Sequence, residues 1–586
     1  MTFRSLCSAL ATRRRYVLFT CLPVLFASAT FVAVRAQSQA TQPQVEPATL
    51  VLNNGRIVTV DDARPEAQAI AVRGDIIVAL GSNAEIAKYV GPATKVIDLS
   101  GQMAMPGFIE GHGHFMGIGR QKLGLELMNT KSWDEIVKMV GDAAAKARPG
   151  QWIIGRGWHQ EKWTSVPSPN VEGFPTHESL DKVSPNNPVI LTHASGHAAF
   201  ANGKALELSN VTATTPNPAG GEILKDKAGN PTGLMREMAS RLIRNGAGQP
   251  DPTPAEVEAE GEKIIELANN EILSKGVTSF QDAGSSFADV ERFKRMVDNG
   301  RLQARLWVMI RGGGTVEQMK RARLIDYGNK HLTVRAIKMA IDGALGSRGA
   351  WMLQPYMDKP DSSGLNTTQV DAVRAMAQVA LDSGFQLCLH AIGDRANREV
   401  LNVYEEAFKK NNVNGKDVRW RVEHAQHIHR DDIPRFGKLG VIAAMQGIHA
   451  TSDAPYVLAR LGPERAEEGA YVWQKLMKSG ATVVNGTDAP VEDVDPIASY
   501  YATVTRKLEN GTTFYPDQKM SRIEGLKSYT LWAAYGGFEE NIKGSLTPGK
   551  LADITVLSKD ITTVPDDQIR QAKVVYTIVG GKVVYQ

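Results

Sequence analysis

Short apolar runs alternate with longer segments of helical periodicity through most of this chain. An alternation of this kind is typical of a parallel α/β fold, in which each strand is followed by a crossover helix. Eight runs predict eight βα units and therefore a TIM barrel, whose active site lies at the carboxyl ends of the strands. The eight runs are residues 103–110, 277–282, 305–311, 334–341, 385–390, 418–424, 441–446 and 482–487.

The two ends of the chain have a different pattern. Residues 48–105 and 541–586 consist of short β-branched runs separated by turn signals, and neither half has enough strands for a stable sheet alone. We therefore predict that the two ends pair into one small β-sandwich domain. The residues between them, 106–540, form the predicted barrel domain.

One connection in the predicted barrel is far too long for a single crossover helix. It joins strands one and two, and only residues 133–147 and 254–275 within it have a helical pattern. This length predicts an inserted subdomain, at about residues 120–255, that overhangs the mouth of the barrel.

Residues 1–36 have the layout of a secretory signal peptide. A cluster of arginines precedes an apolar run from Tyr16 to Val34, and a small-residue cleavage site follows. The arginines also match the twin-arginine export signal of bacteria, so we expect a periplasmic or secreted bacterial protein. An uncleaved membrane anchor is the alternative, because about 18 apolar residues can span a bilayer. Residues 37–47 are polar and predict a disordered lead-in.

The composition is that of a globular protein with a small-molecule ligand. The formal net charge of +4 comes from five arginines in residues 1–36, so the remaining chain carries −1 and offers no basic surplus to nucleic acid or, after signal removal, to a membrane. Only Cys388 lies beyond the signal, which excludes an internal disulfide. A homodimer is the default expectation for the assembly.

Six potential metal-ligating side chains lie in or directly after predicted strands one, four, five, six and eight. In an extended segment residues i and i+2 point to the same side, so both histidines of the first strand can reach one ion. Neutral imidazole and carboxylate groups are efficient zinc ligands. The six residues are His112, His114, Lys338, His390, His424 and Asp488.

Lys338 lies inside an apolar strand, where a charged ammonium is costly to bury. A lysine with a depressed pKa can take up carbon dioxide, and the resulting carbamate would bridge two metal ions. The alternative is a lysine neutralised by Asp342, which lies four residues further on. The sequence therefore predicts one or two zinc ions and favours a carboxylated Lys338.

These residues predict a hydrolytic mechanism. The metal lowers the pKa of a bound water and polarises a carbonyl group, and the hydroxide attacks. Asp488 takes the proton and delivers it to the leaving nitrogen. His197, in the inserted segment, is our candidate donor to the oxyanion.

Many ordered motifs after residue 48 resemble the amidohydrolase superfamily, and specifically its YtcJ-like branch (amidohydrolase family 3), which includes N-substituted formamide deformylase. The motifs are PGFIEGHGH (106–114), GWHQ (157–160), GH (196–197) with Asn202, GGEI (220–223), PTG (231–233), GVTS (276–279), DGALGSR (342–348), HAIGD (390–394), EHAQ (423–426), GTDAP (486–490) and GKLAD (549–553). The resemblance implies the split β domain, the barrel and hydrolysis of carbon–nitrogen bonds at a metal centre. The six residues named above match the ligand positions of the family.

The chain departs from the family pattern at two places that border the expected substrate pocket. His159 stands where the branch usually has Asp, and Gly447 follows Gln446 where Pro is usual. These departures leave the identity of the substrate undetermined, but they do not alter the predicted hydrolytic chemistry. The residues predicted to bind substrate are Trp158, His159, Trp163, Arg348, Gln446 and His449.

Three functions compete at this point. The leading prediction is an exported amidohydrolase that cleaves an N-substituted formamide or another N-acyl amine. A cyclic amide or imide hydrolase is the nearest rival, although it would need an open barrel mouth. A non-catalytic binding or regulatory protein on the same barrel is the third, and it would have no need of Asp488 as a proton shuttle.

Overall fold

The computed structural model describes residues 45–249 and 251–586. The predicted signal peptide, and residues 37–44 of the predicted lead-in, lie outside the described residues. Among the helices of the described part, none is long and apolar enough to cross a membrane.

Eight parallel strands form the central sheet, each hydrogen-bonded to the next in chain order. All eight are buried almost throughout, as expected for a parallel sheet covered by helices. Their order and direction confirm the predicted TIM-type barrel. The strands are β1 (Phe108–Gly113), β2 (Val277–Ser285), β3 (Arg305–Arg311), β4 (Leu332–Ala340), β5 (Gln386–Ala391), β6 (Arg421–His424), β7 (Ile442–Gln446) and β8 (Val483–Gly486).

The barrel closes where β8 meets β1. The amide of Asp488 donates a hydrogen bond of 2.8 Å to the carbonyl of His112. Glycines permit this approach: a Cβ on Gly111 would lie 2.4 Å from the carbonyl oxygen of Asn485, and one on Gly486 would lie 2.6 Å from the amide nitrogen of His112. The ends of the first and last strands are thereby held side by side.

Helices surround the barrel and bury their apolar faces against it in one large core. Several begin with a capping box, as at Ser286 and Thr315, and two end at left-handed glycines, Gly384 and Gly440, directly before a strand. The helices after β2 are Phe287–Asp298, Val316–Ala322, Tyr327–Lys330, Val370–Ser383, Asp394–Asn411, Gly415–Val418, Ile433–Leu439, Gly447–Leu461, Pro463–Gly469, Trp473–Lys478, Pro496–Thr505, Arg522–Ser528, Leu531–Gly536 and Asp566–Ile569, with a 3₁₀ turn at Pro516–Gln518 and a short strand at Leu324–Asp326.

Strands from both ends of the chain share one six-stranded sheet. Ile554–Leu557 pairs antiparallel with Met103–Pro106, with Ile554 opposite Pro106. In order, the sheet contains Lys582–Tyr585, Val574–Val579, Ile554–Leu557, Met103–Pro106, Arg56–Val58 and Glu66–Ala67. A four-stranded sheet of Ile76–Gly81, Ala69–Arg73, Leu50–Asn53 and Lys95–Asp98, with helix Asn83–Ala87, shares an apolar cluster with it. The bounds of a separate end domain stay a prediction.

The prediction of one strand over residues 103–110 is wrong. Residues Met103–Pro106 belong to the six-stranded end sheet, and the first barrel strand begins at Phe108. Gly107 separates the two strands, and a Cβ there would lie 2.1 Å from the side chain of Thr278. Both halves are equally apolar, so the pattern alone could not reveal that the chain passes from one sheet to another.

The segment between β1 and β2 has a sheet and an apolar core of its own. Trp133, Trp158 and Phe200 lie in that core. The sheet contains, in order, Gly221–Lys225, Pro231–Glu237, Ala198–Ala201, Val189–His193, Ile153–Trp158 and Leu125–Glu126, beside a hairpin of Asn170–Val171 and Phe174–Pro175. The helices are Phe115–Gln121, Trp133–Ala144, Glu178–Val183, Gly203–Leu208 and Pro254–Ser274, with 3₁₀ turns at Gln160–Lys162 and Met238–Leu242.

Candidate metal centre and active site

His112, His114 and Asp488 meet where the barrel closes. Nε2 of His112 lies 3.4 Å, and Nε2 of His114 lies 3.2 Å, from Oδ1 of Asp488. The two histidines stand at the end of β1, and Asp488 follows β8. Potential ligand atoms of all three lie within 4.8 Å of one another, which is close enough for them to share one ion.

His390 and His424 complete a ring of histidines around the same point. The ring centroids of His390 and His424 are 4.4 Å apart, and those of His112 and His424 are 4.7 Å apart. His390 is the penultimate residue of β5 and His424 the last residue of β6, so adjacent strands place them together.

Three buried polar atoms at this point have no hydrogen-bond partner among the described residues. They are Nε2 of His112, Nε2 of His390 and Oδ1 of Asp488. Buried polar atoms without partners are rare because each one costs free energy. Imidazole nitrogens and a carboxylate oxygen are the donor set of a catalytic zinc site, so these residues fit a divalent metal ion.

Two neighbouring side chains orient the histidine rings. Glu423 contacts Nδ1 of His112 and also accepts hydrogen bonds from Arg421, at 2.7 Å from Nε. Oε1 of Gln446 lies 2.8 Å from Nδ1 of His424. Because these contacts occupy Nδ1, the Nε2 atom of each ring is left for a metal ion.

Glu423 remains ionised although it is fully buried. Burial raises the pKa of its carboxyl group, but Arg421 and His112 outweigh burial and hold that pKa well below its usual range. The ionised carboxylate of Glu423 therefore holds Nδ1 of His112 and fixes the orientation of the ring.

Lys338 lies in β4 and lines the same cavity as His114 and His390. Burial lowers the pKa of its ammonium group. Asp342 does not neutralise it within the described part of the chain: the Asp342 carboxylate instead accepts hydrogen bonds from the amides of Trp351, Ile392 and Gly393, at 2.8 to 3.1 Å. Among the described residues, Lys338 therefore has no ion pair with Asp342.

His197 reaches the site from the inserted segment. Its Nδ1 lies 2.7 Å from Oε2 of Glu237, and its ring centroid lies 5.0 Å from that of His390. Burial lowers the pKa of His197, but Glu237 and other nearby carboxylates outweigh burial, so the pKa is raised. With Nδ1 held by Glu237, Nε2 is the atom that can donate to a ligand.

Two cavities of unequal size meet beside these residues. The smaller one, of about 50 Å³, is lined by His159, His449, Asp453 and Tyr456, among others. The larger one, of about 560 Å³, lies between the barrel and the inserted segment. His197 and His390 line both cavities.

The structure does not bring all of the predicted substrate residues to these cavities. His159 and His449 line the smaller one, and Gln446 lies behind His424. Trp158 is fully buried in the core of the insertion, and Trp163 stacks on it with ring centroids 6.0 Å apart. Arg348 pairs with Asp358 at 3.0 Å and lines neither cavity.

Several residues of the site were missed in the sequence. Glu110 lies two residues before His112 on the same strand face, and its buried carboxyl group accepts a hydrogen bond from the amide of Thr487. Burial raises the pKa of Glu110 to about 8. The sequence did contain a signal for Glu110: polar residues at alternate positions of an apolar strand lie on the same face, so Glu110 lies on the same face as His112. No comparable signal marks Glu237, because its partner His197 lies 40 residues away in the sequence.

The chain matches known proteins over nearly its whole length. The sequence profile of the amidohydrolase family matches residues 95–585. Its relatives include the protein LONG AFTER FAR-RED 3 of Arabidopsis thaliana, 32% identical over 93% of each chain, and YtcJ of Bacillus subtilis, 28% identical over 92% of this chain and 99% of that one. N-substituted formamide deformylase of Arthrobacter pascens is 27% identical over 92% of this chain and 98% of that one.

A solved structure supports the same assignment. An uncharacterized metal-dependent hydrolase of Pyrococcus horikoshii has a TM-score of 0.70 and 25% sequence identity, and the match covers 88% of this chain and 99% of that one. The chain therefore belongs to the amidohydrolase family, as a YtcJ-like, metal-dependent hydrolase that acts on carbon–nitrogen bonds.

Proposed function

We propose that this hydrolase cleaves the amide bond of an N-substituted formamide, or of another N-acyl amine with a small acyl group. The observation that carries the proposal is the pair of unequal cavities that meet at His197 and His390. An amide has two substituents, and a cavity of about 50 Å³ admits only a small one. The relative named N-substituted formamide deformylase supports the same substrate class.

In this proposal the acyl group enters the smaller cavity and the amine substituent occupies the larger one. When bound, a divalent metal ion supplies Lewis acidity, which polarises a carbonyl group and acidifies water. His112, His114, His390, His424 and Asp488 would hold it.

Asp488 is the proton carrier. Burial raises the pKa of Asp488, but the adjacent imidazoles of His112 and His114 outweigh burial and hold the pKa well below its usual range. The group is therefore ionised before the reaction and can accept the proton of the attacking water. It then delivers that proton to the leaving nitrogen, while Nε2 of His197 donates a hydrogen bond to the carbonyl oxygen.

The test measures formate and amine release by the purified, zinc-loaded chain from a panel of N-substituted formamides and longer N-acyl amines. We expect turnover of formamides that falls by roughly 10²–10⁴-fold in the Asp488→Asn variant, the range typical of a lost general base. Zinc content and circular dichroism check that the variant is folded and loaded.

Two results would contradict the proposal. Turnover of hydantoins or dihydropyrimidines, without turnover of any formamide, would favour a cyclic amide hydrolase. Tight binding of formamides with no turnover, and the same affinity in Asp488→Asn, would favour a binding protein.

We further propose that Lys338 carries a carbamate, formed when its neutral amine adds to carbon dioxide and releases one proton. Burial of the amine and the absence of an ion pair to Asp342 support this. Native mass spectrometry should show one carbon dioxide adduct that Lys338→Met abolishes. Lys543→Met is the matched control, because Lys543 is also buried but pairs with Glu539 at 2.7 Å. Lack of an adduct in the unmodified chain would refute the carbamate.

Export is also proposed, on the strength of the arginine cluster and apolar run in residues 1–36. Fractionation of cells that express the full chain should place the protein in the periplasm or medium, with an amino terminus near residue 37. Replacing Arg13 and Arg14 by lysine should retain it in the cytoplasm if the twin-arginine route is used. An intact amino terminus in the membrane fraction would instead indicate an anchor.

A further inference from the structure

The larger cavity has an unbalanced charge. Four arginines line it: Arg120, Arg156, Arg241 and Arg311. Aspartate and glutamate are absent from its lining within the described chain. The arginines come from different parts of the fold, since Arg311 ends β3 whereas Arg156 and Arg241 belong to the inserted segment.

None of these four arginines forms an ion pair among the residues that the structure describes. Arg311 donates to the carbonyl of Gly284, at 3.1 Å from Nε and 2.7 Å from Nη2. Arg156 donates from Nη2 to the carbonyl of Ala194 at 3.1 Å, and its buried Nε has no partner in the described chain. Carbonyl groups satisfy some donors but do not neutralise the charge.

Two other buried arginines are neutralised by carboxylates. In the same inserted sheet, Arg236 pairs with Glu172 at 2.8 Å and with Glu222 at 2.7 Å. In the barrel, Arg421 pairs with Glu423 at 2.7 Å. Buried Arg506 also lacks an ion pair in the described chain and donates to the carbonyls of Phe514 and Tyr471. What distinguishes the cavity is that four guanidinium groups without a counter-charge share one lining.

We propose that the amine part of the substrate carries a carboxylate, so that the enzyme acts on N-formyl or other short N-acyl amino acids. This inference rests on the proposed function. A planar guanidinium matches a carboxylate in two parallel hydrogen bonds, and several unpaired positive charges in one cavity attract an anion. His114, Lys338 and His390 line the same cavity, so the anion and the scissile amide belong to one molecule.

The proposed reaction balances without a further reactant. The oxygen of water bonds to the formyl carbon, and the bond between that carbon and the nitrogen breaks. One proton of the water goes through Asp488 to the nitrogen, and the other is released as the product acid ionises. The products are formate and a free amino acid, and nothing is oxidised or reduced.

The experiment compares matched substrates on the zinc-loaded full chain. Each N-formyl ω-amino carboxylate, in a series of increasing chain length, is paired with its isosteric carboxamide and with its sulfonate. We expect kcat/KM for the best carboxylate to exceed that of its carboxamide about tenfold or more, since hydrogen bonds to charged groups are the stronger class. The preference should shrink as ionic strength rises. An equal preference for the sulfonate would show that the cavity recognises anions in general.

Variants of two exposed cavity arginines test the assignment with little risk to folding. In Arg241→Gln and Arg311→Gln we expect the ratio of kcat/KM for carboxylate over carboxamide to fall towards one. Arg321→Gln is the matched control, because Arg321 is exposed on helix Val316–Ala322 and lines neither cavity. An unchanged ratio in both cavity variants would overturn the proposal.

The outcomes separate this inference from the proposed function. Hydrolysis of carboxamides as fast as carboxylates would overturn the inference and leave the formamide hydrolase in place. Hydrolysis of no formamide and of no other short N-acyl amine would overturn the proposed function, and calorimetric binding of the same pairs would then decide the inference. Tighter binding of the carboxylate than of the carboxamide, with the difference lost in Arg241→Gln, would support the inference. Equal binding of the two compounds, or no detectable binding of either, would refute it.

Discussion

Glu423 shows how one buried carboxylate serves both the fold and the site. It contacts Nδ1 of His112 and pairs with Arg421 inside the barrel, where both side chains are fully buried. Removal of one member of a buried pair leaves the other charge uncompensated, which is far more costly than loss of the pair as a whole. The same carboxylate sets which nitrogen of His112 faces the metal site.

We therefore predict two effects of Glu423→Gln. The free energy of unfolding should fall by about 3–5 kcal/mol, because Arg421 loses its counter-charge. Zinc affinity should fall by roughly 10–100-fold, because the ring of His112 loses its orienting partner. Urea unfolding and competition with a chelator measure the two quantities.

Glu405→Gln is the control for this prediction. Glu405 pairs with Arg435 at 3.0 Å, but it lies on the outside of a helix and is partly exposed. A small change in stability and unchanged zinc affinity are expected for the control. Equal effects of the two substitutions would contradict the role assigned to Glu423.

At the scale of elements, the sequence predicted the barrel strands well because burial on both faces makes each one a continuous apolar run. It also predicted that His112, His390, His424 and Asp488 would meet, because the carboxyl ends of parallel strands share one edge of the sheet. It failed at residues 103–110, where two strands of different sheets follow each other without a change of pattern. Contacts such as His197 with Glu237 join residues whose proximity depends on strand pairing within the insertion, which apolar periodicity does not specify.

The contact between β1 and β8 gives a prediction about an element. A Cβ on Gly111 would lie 2.4 Å from the carbonyl oxygen of Asn485, so Gly111→Ala must push the two strands apart. We expect a loss of about 1–3 kcal/mol in stability, typical of overpacking. We also expect kcat to fall, even under conditions in which the variant remains folded. The reason is that His112 and Asp488 are carried by the two strands that separate.

Gly141→Ala is the matched control, since Gly141 lies within helix Trp133–Ala144 and a Cβ there meets only the side chain of Val183, at 3.3 Å. Activity assays and urea unfolding compare the two variants. A Gly111→Ala enzyme that keeps normal zinc content and kcat would show that the contact between the first and last strands does not position the site.

At the scale of the whole molecule, a buried ion pair ties the barrel to the sheet that both chain ends share. Arg305 on β3 pairs with Asp553 through two hydrogen bonds, at 2.7 Å from Nε and 3.0 Å from Nη2. The amide of Gly580 donates to the same carboxylate at 2.8 Å. Asp553 lies directly before strand Ile554–Leu557, so its pairing fixes how that sheet sits on the barrel.

This pair predicts a pH dependence of stability. Burial raises the pKa of Asp553, but Arg305 outweighs burial and holds the pKa below its ordinary value of 3.8. A carboxyl group with a lowered pKa contributes stability that is fully present above its unfolded pKa and is lost as pH falls through its folded pKa. Asp553→Asn should therefore cost about 3–5 kcal/mol near neutral pH, and the difference from the unmodified protein should shrink on acidification below the ordinary pKa.

Urea unfolding at a series of pH values measures this difference directly. Glu509→Gln is the control, because Glu509 pairs with Arg570 on the surface and its side chain is 92% exposed. The Glu509→Gln substitution should leave the free energy of unfolding unchanged at every pH. If the free energies of unfolding of Asp553→Asn and the unmodified protein differ by the same amount over the whole pH range, ionisation of Asp553 does not contribute to the attachment of the sheet. A shrinking difference, together with zinc content that stays normal at neutral pH, would show that the end sheet is held by this charge and not by the metal centre.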